Sequence, residues 1–133
     1  MTLLLLDTNF LIDTERAGAR LDELILDDDD VAIAAITVAE LLVGVELAAT
    51  APRRAERARF VMAVVDAVEV IPYDEQIARS HATLLASVHN AGRPRGAHDL
   101  IIAATAHASS RTVVTADVNA FADLPGVAVR RPG

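Results

Sequence analysis

Asp7, Glu40, Asp99 and Asp117 are the residues whose types and positions could do chemistry in this chain. Asp7 ends the apolar run Leu3-Leu4-Leu5-Leu6. Glu40 opens a helix after a second apolar run. Asp99 opens a strongly apolar helix, and Asp117 follows a late strand. Carboxylates gathered at one point repel one another, and they stay ionised together only around something positive, usually a hard divalent cation. Such an ion lowers the pKa of a bound water and neutralises a phosphate, so the chemistry expected is metal-assisted hydrolysis of a phosphate ester by activated water.

The elements that must position these acids alternate between strand and helix. Strands are expected at Leu3–Leu6, Val31–Ile36, Val68–Ile71 and Val113–Thr115, with a short fifth at Val127–Val129. Helices are expected over Asn9–Glu15, Ala19–Leu26, Thr37–Ala49, Arg53–Ala67, Asp74–Ala91 and Asp99–Ser109. Asp27–Asp30 reads as a charged, solvated loop; it lacks the glycine and distal glutamate of a calcium-binding EF-hand. This alternation predicts an α/β domain of three layers, α/β/α, around a mostly parallel sheet of four to five strands. Ligands of such sheets bind beyond the carboxyl ends of the strands, at a switch point. Asp7 and Asp117 lie at strand carboxyl ends, and Glu40 and Asp99 lie at helix starts that face the same edge.

Composition narrows the function classes. The chain has 133 residues, which suits one domain, 1–133, with one core. It is 53% hydrophobic, enough to exclude disorder, and only 3% aromatic, so Ala, Val, Leu and Ile must build the core. No Cys is present, which excludes disulfides and thiolate metal sites and agrees with a reducing cytoplasm. No signal peptide and no membrane span are expected. The net charge of −7 argues against a broad basic nucleic-acid surface, but not against an acidic site acting through metal ions. All twelve basic residues are Arg. The absence of Lys excludes a Walker phosphate loop, a haloacid-dehalogenase-like phosphatase and a phosphoacceptor receiver, which all need one.

Each acid also has an ordinary structural explanation. Asp7-Thr8-Asn9 could cap the first helix. Thr37-Val38-Ala39-Glu40 could be a capping box. Asp99 could cap or favour a helix dipole, and Asp117 could be a turn residue. On that alternative the chain is a non-catalytic interaction module. Among the basic residues, Arg53, Arg54, Arg57 and Arg59 form either a solvated face or a dock for RNA or an acidic partner. Arg93 and Arg95 precede Asp99 and are placed to contact phosphate. His98 draws notice because it adjoins Asp99; His81, His89 and His107 lack metal spacing.

Four segments together resemble the PIN-domain nucleases, and among them the VapC-like toxins of bacterial toxin–antitoxin pairs. They are Leu5-Leu6-Asp7-Thr8-Asn9, Thr37-Val38-Ala39-Glu40-Leu41, His98-Asp99-Leu100-Ile101-Ile102-Ala103-Ala104, and Val114-Thr115-Ala116-Asp117 leading to Phe121. The resemblance implies that Asp7, Glu40, Asp99 and Asp117 hold Mg²⁺ or Mn²⁺, with Thr8, Thr115 and Asn9 in support and Arg95 and Arg93 on the substrate. It implies endonucleolytic cleavage of RNA to a 5′-phosphate and a 3′-hydroxyl, a homodimer, a cognate VapB-like antitoxin and a cytoplasmic setting. One departure stands out. Many relatives carry a further acid immediately before the phenylalanine of the last motif, and this chain has Ala120 there.

Overall fold

The computed structural model describes residues 2–21 and 29–132. Five strands form one sheet: β1 (Thr2–Leu6), β2 (Asp29–Ala34), β3 (Glu69–Ile71), β4 (Thr112–Val114) and β5 (Val129–Arg130). Among the described residues five α-helices accompany them: α1 (Thr8–Arg16), α2 (Ala35–Glu46), α3 (Ala51–Ala67), α4 (Glu75–Ala91) and α5 (Ala97–Ala108). The helix expected over Ala19–Leu26 falls largely outside the described residues, as do Asp27 and Asp28. Asp29 and Asp30 are not loop, as expected, but the first two residues of β2.

The strand order is β3-β2-β1-β4-β5 and every pairing is parallel. The chain therefore adds strands on one side of β1, then crosses to the other side. The switch point lies between β1 and β4, and the carboxyl ends of the strands there are where sheets of this kind bind ligands.

Strand periodicity divides the core in two. Leu5, Ala32 and Ala34 face α4 and α5, where they meet Ile77, Leu84, Ile102 and Ala103. Leu4, Leu6, Val31 and Ile33 face the other way, onto Leu11, Leu41, Val61 and Val64 of α1, α2 and α3. Both faces of the sheet are thus buried, which is why β1 and β2 read as continuous apolar runs. Helix ends follow local chemistry in two places. Thr50 caps α3 by accepting from the Arg53 N–H at 3.2 Å, with Pro52 in the first turn. Asp74 caps α4 through the Ile77 N–H at 2.9 Å, and Gly92, in the left-handed region, ends it.

Candidate active site at the carboxyl edge of the sheet

Asp7 follows β1 directly, at the switch point. It occupies the N-cap position of α1, yet its side chain caps nothing. It is 1% exposed, and its Oδ2 accepts a hydrogen bond from Thr115 Oγ1 at 2.8 Å. The same Thr115 oxygen accepts from the Asp117 N–H at 3.0 Å. One buried threonine just past β4 therefore ties Asp7 to the turn that carries Asp117. Asp117 itself is exposed.

Glu40 is held from a different direction. Thr8 Oγ1 lies 2.9 Å from Glu40 Oε1 and 3.0 Å from Thr37 Oγ1. A hydroxyl has one proton, and the carboxylate is the stronger acceptor, so Thr8 donates to Glu40 and accepts from Thr37. This overturns the capping-box reading. Helix α2 begins at Ala35, after Ala34 and without a side-chain cap, so Thr37 and Glu40 stand inside the helix and face α1. Glu40 Oε2 lies 3.4 Å from His98 Nδ1 at the start of α5. Its two oxygens thus meet two different helices.

Asp99 sits in the first turn of α5, half-buried, but Gly96 takes the N-cap position expected of it. The chain turns into α5 two residues earlier than the apolar pattern suggests. Gly96 is also where the Asp99 carboxylate needs room: a Cβ there would stand 2.9 Å from Asp99 Oδ2.

Burial and mutual repulsion act on the two innermost acids in the same direction. Burial pushes the Asp7 carboxyl above its ordinary value. The Thr115 hydroxyl and the Thr8 backbone pull it back, while Asp99 and Glu40 push it further up. Asp99 is raised first by burial, then by Glu40 and Asp117, and His98 offsets part of this. All four carboxylates therefore act on one region of space, although they come from four separate stretches of chain.

The remaining candidates divide. Asn9 is exposed and makes no side-chain hydrogen bond among the described residues. Arg93 makes a loose, exposed ion pair with Asp123 at 3.5 Å. Arg95, expected to contact phosphate, also braces the chain. Its Nη1 donates to Asn119 O at 2.9 Å and its Nη2 to Ala122 O at 2.7 Å, bracing the turn after Asp117. Its Nε is buried without a partner, so that face of the guanidinium cannot meet a ligand. Two arginines of the basic patch also serve the fold. Arg57 Nη1 donates to Gly44 O at 2.7 Å and Arg54 Nη2 to Glu46 O at 3.3 Å, closing orphan carbonyls at the end of α2.

Sequence reasoning missed Arg111. It is buried at the opposite end of the sheet, where its guanidinium donates to Leu4 O, Asp30 O and Glu69 Oε2. It also pairs with Asp30 Oδ1 at 2.9 Å. One side chain beside β4 therefore joins β1, β2 and β3. No sequence signal marks it, beyond an arginine immediately before an apolar strand.

The donor set at the carboxyl edge consists of carboxylate and hydroxyl oxygens, the chemistry that suits a hard divalent cation and not a soft one. Two of the acids are destabilised as anions by burial first and by their neighbours second, and a cation among them would relieve that cost. The residues therefore fit such an ion in kind. Among the described residues no three Asp, Glu or His side chains already stand at ligating distance from one point.

Comparison with known proteins gives a consistent result. The family model described as PIN domain matches residues 4–127. The chain is 42% identical to ribonuclease VapC5 of Mycobacterium tuberculosis over 123 residues, covering 92% of this chain and 88% of that one. It is 37% identical to toxin FitB of Neisseria gonorrhoeae over 128 residues, covering 90% and 91%. Among solved structures it resembles the VapBC-5 toxin–antitoxin complex of M. tuberculosis, with a TM-score of 0.78, 36% identity and coverage of 96% and 97%.

Proposed function

The chain belongs to the PIN-domain family, and from that membership we propose that it is a divalent-metal-dependent endoribonuclease, the toxin of a toxin–antitoxin pair. The observation that carries the reading is the gathering of Asp7, Glu40, Asp99 and Asp117 at the switch point of a parallel sheet, with Asp7 and Asp99 raised in pKa by burial and by neighbouring acids. Capping does not account for it. Neither Asp7 nor Glu40 caps a helix through its side chain, and Gly96 stands where Asp99 would cap.

Asp7, Asp99, Glu40 and Asp117 would hold Mg²⁺ or Mn²⁺. When bound, the ion supplies Lewis acidity, which lowers the pKa of water and neutralises charge on the scissile phosphate. The chain's own residues prepare the place. Thr115 keeps one Asp7 oxygen oriented and holds the Asp117 turn against it. Thr8 and His98 fix the Glu40 carboxylate from both sides. Leu6, Phe10 and Val114, near Asp7 in the fold, are buried in one apolar cluster, which keeps the local dielectric low. Without a cation the acids repel a phosphate backbone, so RNA engagement depends on the ion. Arg93, only loosely paired, is the arginine free to approach the strand from the α5 side.

The partner is a VapB-like antitoxin, and the working unit is a homodimer in the cytoplasm. The antitoxin reading is supported by the complexes that related chains form and by apolar side chains exposed along α2 and α3, namely Leu42, Leu47, Met62 and Val65. Such a surface suits the apolar face of a partner helix.

The test is cleavage of a total-RNA pool with Mn²⁺ or Mg²⁺ against chelator, with Asp99→Asn alongside. Discrete fragments with 5′-phosphate ends, lost in chelator and in the variant, are expected. Cleavage that persists in chelator, or in Asp99→Asn, removes the mechanism.

A further inference from the structure

A second feature adjoins the acids. A cavity of about 120 Å³ opens between α1, α2 and α3, and Glu40 lines both it and the acidic cluster. Its apolar wall is Ile12, Leu41 and Phe60, and Phe60 is packed against the core and held in place. Its rim carries Arg16, Arg53 and Arg57. Arg57 is anchored on Gly44 O, which fixes its guanidinium beside the opening. Arg53 makes only an exposed ion pair with Glu56 at 3.6 Å, and Arg16 makes none among the described residues. Three cations stand against two acids, Glu15 and Glu40, around one opening, a local excess of positive charge in a chain of net charge −7.

We infer that this cavity is a nucleotide subsite, which takes one base of the RNA strand next to the phosphate being cut and steadies the adjoining phosphate on its arginines. The inference rests on the ribonuclease reading for the identity of the strand. The cavity falls well below the roughly 300 Å³ of a drug-sized pocket, which suits a single planar ring and not a helix. An aromatic wall offers a base a stacking face, and the exposed guanidiniums meet the charge that the base carries behind it. Glu15 at the same opening can accept from an exocyclic amine or ring N–H, which gives the subsite a means of preferring one base over another. Because Glu40 belongs to both, the subsite adjoins the acids, so it reads a neighbour of the scissile phosphate.

Two measurements test this separately from the nuclease reading. Binding of a fluorescein-labelled, random-sequence RNA 12-mer to protein with all four acids intact, followed by anisotropy across a salt series in Ca²⁺, a hard ion that takes oxygen ligands and activates water weakly, does not depend on cutting. Arg16→Ala and Arg53→Ala should each weaken binding and flatten the salt slope by about one ion. Phe60→Leu, chosen to preserve packing, should weaken binding about threefold to tenfold with the slope unchanged. Arg59→Ala, on the same helix but outside the cavity, controls for net charge and should change binding less than either rim arginine. In the otherwise native protein, Phe60→Leu should flatten the base preference at one position beside the cut. Equal effects of Arg16, Arg53 and Arg59, no effect of Phe60→Leu on folded protein, or no RNA binding overturns the subsite. So does protection of the cavity by a partner peptide with RNA binding unaffected, which would make it a protein dock. A chain that binds RNA through the cavity but never cuts would overturn the nuclease reading and leave the subsite standing.

Discussion

Replacing Thr115 by Val tests how the acidic edge is built. The substitution keeps shape and volume at a fully buried position and removes only the hydroxyl. Two hydrogen bonds go with it, one to Asp7 Oδ2 at 2.8 Å and one from the Asp117 N–H at 3.0 Å. The first serves a carboxylate that is itself 1% exposed, so its loss leaves a buried charge short of a donor. A hydrogen bond to a charged group is worth about 1.5–3 kcal/mol, and the Asp117 N–H can turn to water. The expected loss is therefore about 2 kcal/mol at neutral pH in chelator. At about 3–6 °C per kcal/mol for a chain of this size, Tm should fall by about 6–12 °C. The pH dependence carries the sign. The Thr115 bond lowers the pKa of Asp7, so removing it raises that pKa further above its ordinary value. The ionised form thus loses more than the protonated one. The deficit should be full above the variant's Asp7 pKa and shrink as the pH falls through the raised Asp7 values, where Asp7 takes up its proton. Urea denaturation in chelator from acid to neutral pH measures it, with Thr115→Ser as the control that keeps the hydroxyl. A deficit that does not vary with pH would falsify the coupling between Thr115 and the Asp7 charge.

Asp99→Asn should stabilise the metal-free protein at neutral pH while abolishing the gain in Tm on adding Mn²⁺. The Asp99 pKa is raised, so its ionised form is a cost above that pKa, and the difference between variant and wild type should close as pH falls through it. Equal metal-induced shifts in both proteins would remove Asp99 from the ion site. Gly96→Ala should fold, because Gly96 has an ordinary extended backbone, but its methyl displaces the Asp99 carboxylate. Calorimetric Mn²⁺ titration should show affinity weakened about tenfold, and wild-type affinity would mean that Asp99 moves aside freely. Arg111→Met should lower stability by about 1–3 kcal/mol in urea, because it strands the Leu4 and Asp30 backbone carbonyls, while the partly exposed Asp30 and exposed Glu69 carboxylates turn to water. RNA cleavage per folded molecule should be unchanged, since Arg111 lies at the far end of the sheet; a selective loss of cleavage would show that the two ends are coupled.

Much of this arrangement was legible in the sequence. The apolar runs at Leu3–Leu6 and Val31–Ile36 read as buried strands, although the second strand ends at Ala34 and Ala35 and Ile36 open α2, and the helix expected over Asp74–Ala91 runs from Glu75 to Ala91. Alternation of the two types, with right-handed crossovers, brings the carboxyl end of β1, the turn after β4 and the starts of two helices to one edge. The four acids were visible on that ground, because residue type and place in the pattern are local properties. The boundaries were less so: α2 and α5 each begin two residues before the expected start, since burial of Thr37 and room for Asp99 decide those turns. What each side chain does was settled by partners far away in the chain. Thr115 reaches Asp7 across 108 positions, and Arg111 reaches Leu4 across 107. Glu40 looked like half of a capping box until Thr8 and His98 took its oxygens, and nothing in the sequence announced that Arg95 would hold two carbonyls. Periodicity reports which face of an element is apolar. Which hydroxyl or guanidinium meets which oxygen depends on the packing of whole elements, and that exists only in the folded chain.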